Sequence, residues 1–208
     1  MKKKITILDY GSGNILSAMQ SFIKVVKTLD IEADVKISGD PKSLSESTHL
    51  VLPGQGAFKT CMEGLCKIPG MIEELNKFAL IQKKPFFGIC IGMQLLADNS
   101  LENGNHNGLG WISGTIKKLP NKELKMPHMG WNSIKASKTN TLAFKEKDYY
   151  FVHSYYFDCK NEENIVAKTN YGINFPSIIN KENIYGFQFH PEKSSDQGLE
   201  IISNFLKI

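Results

Sequence analysis

Apolar positions in the first hundred residues alternate between two spacings. KITILDY (4–10) is a short apolar run that ends at Gly11-Ser12-Gly13, a turn signal. From 15 to 29, Ile15, Met19, Phe22, Ile23 and Val26 recur at helical spacing, and Asn14 can cap the helix they predict. ADVKIS (33–38) and HLVLPG (49–54) read as strands, the second closing in Pro-Gly. The helical spacing returns over 70–82, with Met71, Leu75 and Phe78 on one side. PFFGIC (85–90) reads as a buried strand, and IGMQLLAD opens an amphipathic helix behind it. Strand–helix–strand alternation predicts an α/β fold with a mostly parallel sheet.

Past residue 108 the pattern changes to short, aromatic-rich strands: WISGTIKKL, WNSIKA, YYFVHSYYFD, NIVAKTNY and IYGFQFH. Polar turns separate them, so they predict antiparallel additions to the sheet. A helix over 197–206 closes the chain. No repeat, linker or change of composition marks a boundary, and residues 1–208 are expected to form a single domain.

Composition narrows the function classes. Of 208 residues, 41% are hydrophobic and 22% charged, enough for one packed core. No apolar run approaches the roughly 18–20 residues of a membrane span. The apolar stretch after the basic start is too short for a signal-peptide core, so the expected location is cytoplasmic, with no membrane partner. Cys61, Cys66, Cys90 and Cys159 form no CxxC pair. With His49, His106, His128, His153 and His190 scattered, neither a disulfide framework nor a metal site is expected, and no cofactor is implied. The net charge is +4, and all 25 basic residues are lysine. Nucleic-acid readers favour arginine forks on guanine and phosphate, so that class is disfavoured.

One stretch carries chemistry. In FFGICIGMQLL, Cys90 sits at a strand end with Gly88 and Gly92 two residues to either side. This matches the G-x-nucleophile-x-G turn, in which glycines let backbone segments pass closely around a strained corner. Amides at the start of the following helix favour thiolate over thiol. A nucleophile needs a base. In IYGFQFHPEKSS, His190 ends a strand pattern and Glu192 lies two residues on, the same side of an extended segment. The carboxylate can then accept the imidazole N–H and stabilise the imidazolium, while Pro191 stops the ladder.

GICIGMQLL and GFQFHPEKS together resemble the nucleophile and His-x-Glu motifs of class I (triad-type) glutamine amidotransferases. DYGSGNI (9–15), LPGQGAF (52–58), PHMGWN (127–132) and YFVHSYY (150–156) are similar, more narrowly, to the glutaminase subunits of imidazole glycerol phosphate synthases. The resemblance runs from residue 4 to the C-terminus. It implies a flavodoxin-like three-layer sandwich whose mostly parallel sheet is extended by antiparallel strands. It also implies glutamine hydrolysis by Cys90, His190 and Glu192. The ammonia would pass to a (β/α)8-barrel synthase subunit in a heterodimer, for histidine biosynthesis. An ammonia-supplying glutaminase for a sugar-amidating synthase is the alternative. By the same resemblance the oxyanion hole would come from Gly54, Gln55, Gly56 and Ile91. Gln55 stands where a smaller apolar residue is usual. Gln94, Ser154, Tyr155 and Tyr156 would bind glutamine, and Asn14, Trp131, Tyr150 and Lys193 would face the partner or the ammonia exit.

Overall fold

A computed structural model describes residues 2–120, 124–137 and 144–208. The first half lays down Lys3–Leu8 (β1), Ile15–Leu29 (α1), Ala33–Ser38 (β2), Lys42–Glu46 (α2) and His49–Gly54 (β3). Phe58–Cys66 (α3), Met71–Asn76 (α4), Phe86–Cys90 (β4) and Ile91–Gln94 (α5) follow. The second half is strand-rich: Asn99–Ser100 (β5), His106–Asn107 (β6), Gly114–Lys118 (β7), His128–Ser133 (β8), Lys135–Ala136 (β9), Asp148–His153 (β10) and Tyr155–Cys159 (β11). Ile165–Asn170 (β12), Asn174–Lys181 (β13), Ile184–Phe187 (β14) and Ser195–Leu206 (α6) complete it.

The main sheet has the order β2-β1-β3-β4-β14-β13-β12-β9. Its first five strands are parallel, and β13, β12 and β9 add on antiparallel. This is the flavodoxin-like doubly wound order, in which ligands gather at the carboxyl ends of the strands. β3 and β4 are buried at every position, as expected of parallel strands covered on both faces. Phe87 of β4 stacks on Phe187 at 4.4 Å and meets Phe22 of α1 edge-on at 5.8 Å. Phe205 of α6 is 4.8 Å away, so the C-terminal helix is pinned to the same aromatic cluster. A four-stranded sheet, β11-β7-β5-β6, and the β10-β8 pair stand beside the main sheet.

Several sequence expectations need correction. The helix after Cys90 is one turn long and wholly buried, not amphipathic. It ends because the next carbonyls turn to another segment: Leu109 N–H donates to Leu95, Gly110 to Ala97, and Trp111 to Leu96. YYFVHSYYFD is two strands. β10 pairs with β8 up to His153, the chain turns at Ser154, and β11 pairs with β7. IYGFQFH leaves the ladder after Phe187. The helix over 70–82 is α4 followed by a wider turn at Lys77–Ile81. Five elements were not legible: α2, α3, β5, β6 and β13. α3 contains Gly64, whose missing side chain leaves room for the Tyr10 carbonyl. β13 contains Pro176, ordinarily a mark against a central strand. The β12–β13 ladder shifts register beside that proline's partner, Lys168.

Phe87→Ala should cost about 3–5 kcal/mol of stability, and Phe87→Leu clearly less, as read by urea denaturation. Equal losses would show that the aromatic cluster does not hold α1 and α6 to the sheet.

Candidate active site

Cys90 ends β4 with φ 53° and ψ −108°, a strained conformation that turns the chain sharply from strand to helix. The turn fits because three glycines crowd it. A Cβ on Gly92 would overlap the Leu52 carbonyl, and one on Gly54 would lie 2.6 Å from Gly92 N. Gly54 is also the register partner of Cys90 across β3 and β4. The spacing read from sequence is therefore a close-packing requirement. With only one helical turn behind it, the sulfur meets local amides rather than the summed dipole of a long helix.

His190 lines the same cavity of about 250 Å³ as Cys90. Its Nδ1–H donates to Glu192 Oε1 at 2.8 Å, and the two side chains are only 5% and 3% exposed. Glu192 does not continue the strand. Residues Pro191–Lys193 form a 3₁₀ turn that swings the carboxylate back under the ring. The corner is anchored on β10. His190 N–H donates to Tyr150 O at 2.9 Å. Ser194 Oγ donates to His190 O at 2.6 Å and accepts from Tyr150 N–H at 3.0 Å. Burial opposes a charged imidazole here, but the Cys90 sulfur and the Glu192 carboxylate together raise His190 above its ordinary value. His190 Nε2 is buried with no hydrogen-bond partner among the described residues.

The other anticipated residues fall into three groups. Gln55, Gly56, Ile91, Gln94, Ser154 and Tyr155 line the cavity. The Gln55 carbonyl accepts from Ser12 Oγ at 2.7 Å and Cys61 Sγ at 3.5 Å, and Tyr10 OH donates to Pro53 O at 2.6 Å. The turn after β3 is thus held by three side chains. Tyr156 is not a lining residue; its ring lies 6.3 Å from Phe175. Of the partner-facing set, Asn14 caps α1 through Ser17 N–H, and Lys193 is exposed. Trp131 is 50% exposed, and its ring meets Tyr150 edge-on at 6.1 Å.

Sequence reasoning missed Gln188, Glu102 and the histidines of PHMGWN and YFVHSYY, His128 and His153. Gln188 Nε2 donates toward Cys90 Sγ at 3.8 Å, and its Oε1 accepts from Gln94 Nε2 at 3.0 Å. A fully buried amide inside an aromatic strand was the available signal. Glu102 is the acidic side chain lining the cavity, and its Oε2 accepts from Phe58 N–H at 2.7 Å. Nothing in its local sequence marked it. Among the described residues no cluster of three His, Cys, Asp or Glu could hold a metal. A larger cleft of about 530 Å³ beside α3 contains Cys66 and His106 but no comparable acid–base pairing.

The imidazoles give opposing pH dependences. Burial lowers His49 to about 4, His128 to about 4 and His153 to about 3. Between pH 4 and an unfolded value near 6.5, the unfolded chain binds more protons there, so stability should rise with pH. His190 is raised instead, so its contribution is complete below about 6.5 and lost as pH climbs through its folded value. Urea midpoints should therefore increase from pH 4.5 to 6.5. In His190→Asn, the decline above pH 7 should flatten. A monotonic profile in both proteins would contradict these assignments.

Residues 6–208 match the family model described as Glutamine amidotransferase class-I. A Pelagibacter ubique protein, "Imidazole glycerol phosphate synthase subunit HisH", is 44% identical, covering 98% of this chain and 99% of its own. The Rhodospirillum rubrum protein of the same name is 42% identical, with 98% of each chain covered. A solved glutamine amidotransferase superposes with TM-score 0.72 at 19% identity, covering 98% of this chain and 97% of that one. A second, from Thermotoga maritima, gives 0.66 at 16%, covering 99% and 83%. At such identities the two structures speak for the fold alone. On the family match and the near-complete overlap with these relatives, the chain belongs to the class-I glutamine amidotransferases, among the HisH subunits.

Proposed function

We propose that the chain, acting as one glutaminase domain, is the ammonia-supplying subunit of an imidazole glycerol phosphate synthase. The observation that carries the reaction is the convergence of Cys90 and His190 on one cavity, with His190 bonded to a buried Glu192 at 2.8 Å. Cys90 passes its thiol proton to His190 Nε2, and Sγ attacks the γ-carboxamide carbon of glutamine. The resulting oxyanion is held by backbone N–H groups of Ile91 and of the Gly54-Gln55-Gly56 turn. As the C–N bond breaks, His190 gives its proton to the nitrogen, and ammonia leaves a γ-glutamyl thioester. Water then attacks the thioester, His190 takes its proton, and glutamate departs with the thiol restored. Glu192 keeps the imidazole in the tautomer that aims Nε2 at the sulfur. One glutamine and one water give one glutamate and one ammonia.

Glutamine selection follows from polarity. Gln94 Oε1 is buried without a partner among the described residues, on a residue that lines the cavity, and an acceptor there favours N–H donors of the substrate. Glu102 supplies the negative charge that complements an α-ammonium group. Ser154 and Tyr155 offer backbone groups along one wall, and Tyr156 continues β11 behind it. The partner-facing surface is assigned to Asn14, Trp131, Tyr150 and Lys193, and the partner is a (β/α)8 synthase subunit. The cytoplasm is the compartment this reading expects, and no helix among the described residues is long and apolar enough to cross a membrane.

Cys90→Ala should abolish glutamine-dependent product formation in the complex, while added ammonium salts still drive the synthase. Glutamate release by the alanine variant at a rate comparable with the parent would remove Cys90 from its role. A complex that uses ammonia but never glutamine, even with the parent chain, would reject the glutaminase assignment itself.

A further inference from the structure

Two histidines from the narrower motifs have no place in the chemistry above. His128 and His153 are register partners across β8 and β10, and both are buried, 3% and 5% exposed. His153 Nδ1 lies 2.8 Å from Tyr155 O. A carbonyl only accepts, so this nitrogen carries the proton. At pH 7 burial keeps both rings neutral. His153 Nε2 is then an acceptor, and His128 Nδ1–H donates to it at 2.9 Å. His128 Nε2 in turn accepts from Asn132 Nδ2 at 3.1 Å. The Asn132 amide is itself oriented: Nδ2 donates to Asn170 O at 3.0 Å, and Oδ1 accepts from Ser133 N–H at 2.8 Å. Every donor and acceptor along the line agrees on one direction.

The far end of the line is the site. Tyr155 O accepts a second hydrogen bond, from Gln94 Nε2 at 2.9 Å. The other Gln94 N–H goes to Gln188 Oε1. With both hydrogens engaged, Gln94 Oε1 is fixed as the group facing away from these acceptors. The histidine rings are held against rotation. His128 is stacked between Phe151 at 4.9 Å and Tyr171 at 4.0 Å, with interplanar angles of 26° and 25°. Both nitrogens of both rings are occupied, so neither imidazole exchanges protons with a molecule in the cavity.

We propose that Asn132, His128 and His153 form a hydrogen-bonded positioning relay that orients the Gln94 carboxamide toward glutamine through the Tyr155 carbonyl. The role rests on the glutaminase reading, but the direction of the relay does not. If His153 took the other tautomer, a lone pair would face Tyr155 O, and the carbonyl that steadies Gln94 would be repelled. The relay begins on β8, beside exposed Trp131, and ends inside the cavity wall. The histidines are positioning residues, not catalytic ones.

Two measurements test this. In the ¹⁵N-labelled full chain at pH 7, the imidazole shifts of both residues should report neutral Nδ1–H tautomers. An imidazolium, or an Nε2–H tautomer, at either position would overturn the relay. In the complex with the synthase subunit, His128→Phe keeps the aromatic stack and removes the donor. It should raise KM for glutamine about tenfold or more, with kcat changed by less than about threefold. Asn132→Leu, at the outer end, should act in the same direction by a smaller factor. It also decides the matter should His128→Phe fail to fold. A folded variant with KM within about twofold of the parent would leave the histidines as core packing only. If the parent complex releases no glutamate from glutamine, the functional reading falls, while the tautomers still report on the relay.

Discussion

The parallel pairing of β14 with β4 is the constraint on which the site depends. Ile184–Phe187 lie in register with Phe86–Ile89, so the two strands end at the same edge of the sheet. The nucleophile turn follows directly on β4, and His190 follows three residues after β14. A hundred positions of sequence are closed by four rungs of ladder and by the aromatic contact of Phe87 with Phe187. Everything between, including the small sheet and the β10–β8 pair, is wrapped around that junction. Tyr150 shows how tightly: its backbone N–H and C=O both hold the turn that carries His190 and Glu192.

The same small volume keeps neighbouring imidazoles in opposite states. His190 has a sulfur on one side and a carboxylate on the other, and the two outweigh its burial. His153 has only a carbonyl and another neutral ring as partners, so burial wins and a charge at His190 reinforces it. The difference is one of partners rather than depth. The two rings therefore hold different protonation states within one cavity wall, and a change at His190 leaves His153 neutral.

Much of this was legible before the fold was known. The parallel half announced itself through apolar runs that end at glycine, and Gly88-x-Cys90-x-Gly92 located the turn. His190 and Glu192 were found by proximity in sequence, though a 3₁₀ turn rather than a straight strand brings the carboxylate home. What sequence could not supply was lateral. Gln188 looks like a spacer between two phenylalanines until the ladder ends at Phe187 and frees it to reach the sulfur. Glu102 lies six residues past GICIGMQLL, in a stretch with no periodic pattern to place it. YYFVHSYYFD reads as one strand because its aromatic pattern is continuous. The break at Ser154 comes from two different pairing partners, which periodicity does not encode. β13 was obscured by Pro176, tolerated where the ladder already shifts register.

Buried polar atoms seldom go unpaired, because each costs about 1–3 kcal/mol when deprived of water. Three that lack partners among the described residues, His190 Nε2, Gln94 Oε1 and Glu192 Oε2, belong to the site. Their neighbours are, by contrast, fully engaged: Gln94 spends both hydrogens, and His153 uses both nitrogens. Half of the six unpaired buried side-chain atoms among the described residues are thus in the site, on residues held from behind by saturated ones; the other three are on His49, Thr169 and Ser177. In the proposed reaction a carboxamide substrate brings N–H groups to Gln94 and a leaving nitrogen to His190. Unpaired atoms of this kind favour a substrate that supplies the complementary groups, and the saturated partners keep their orientation from being lost to side-chain rearrangement.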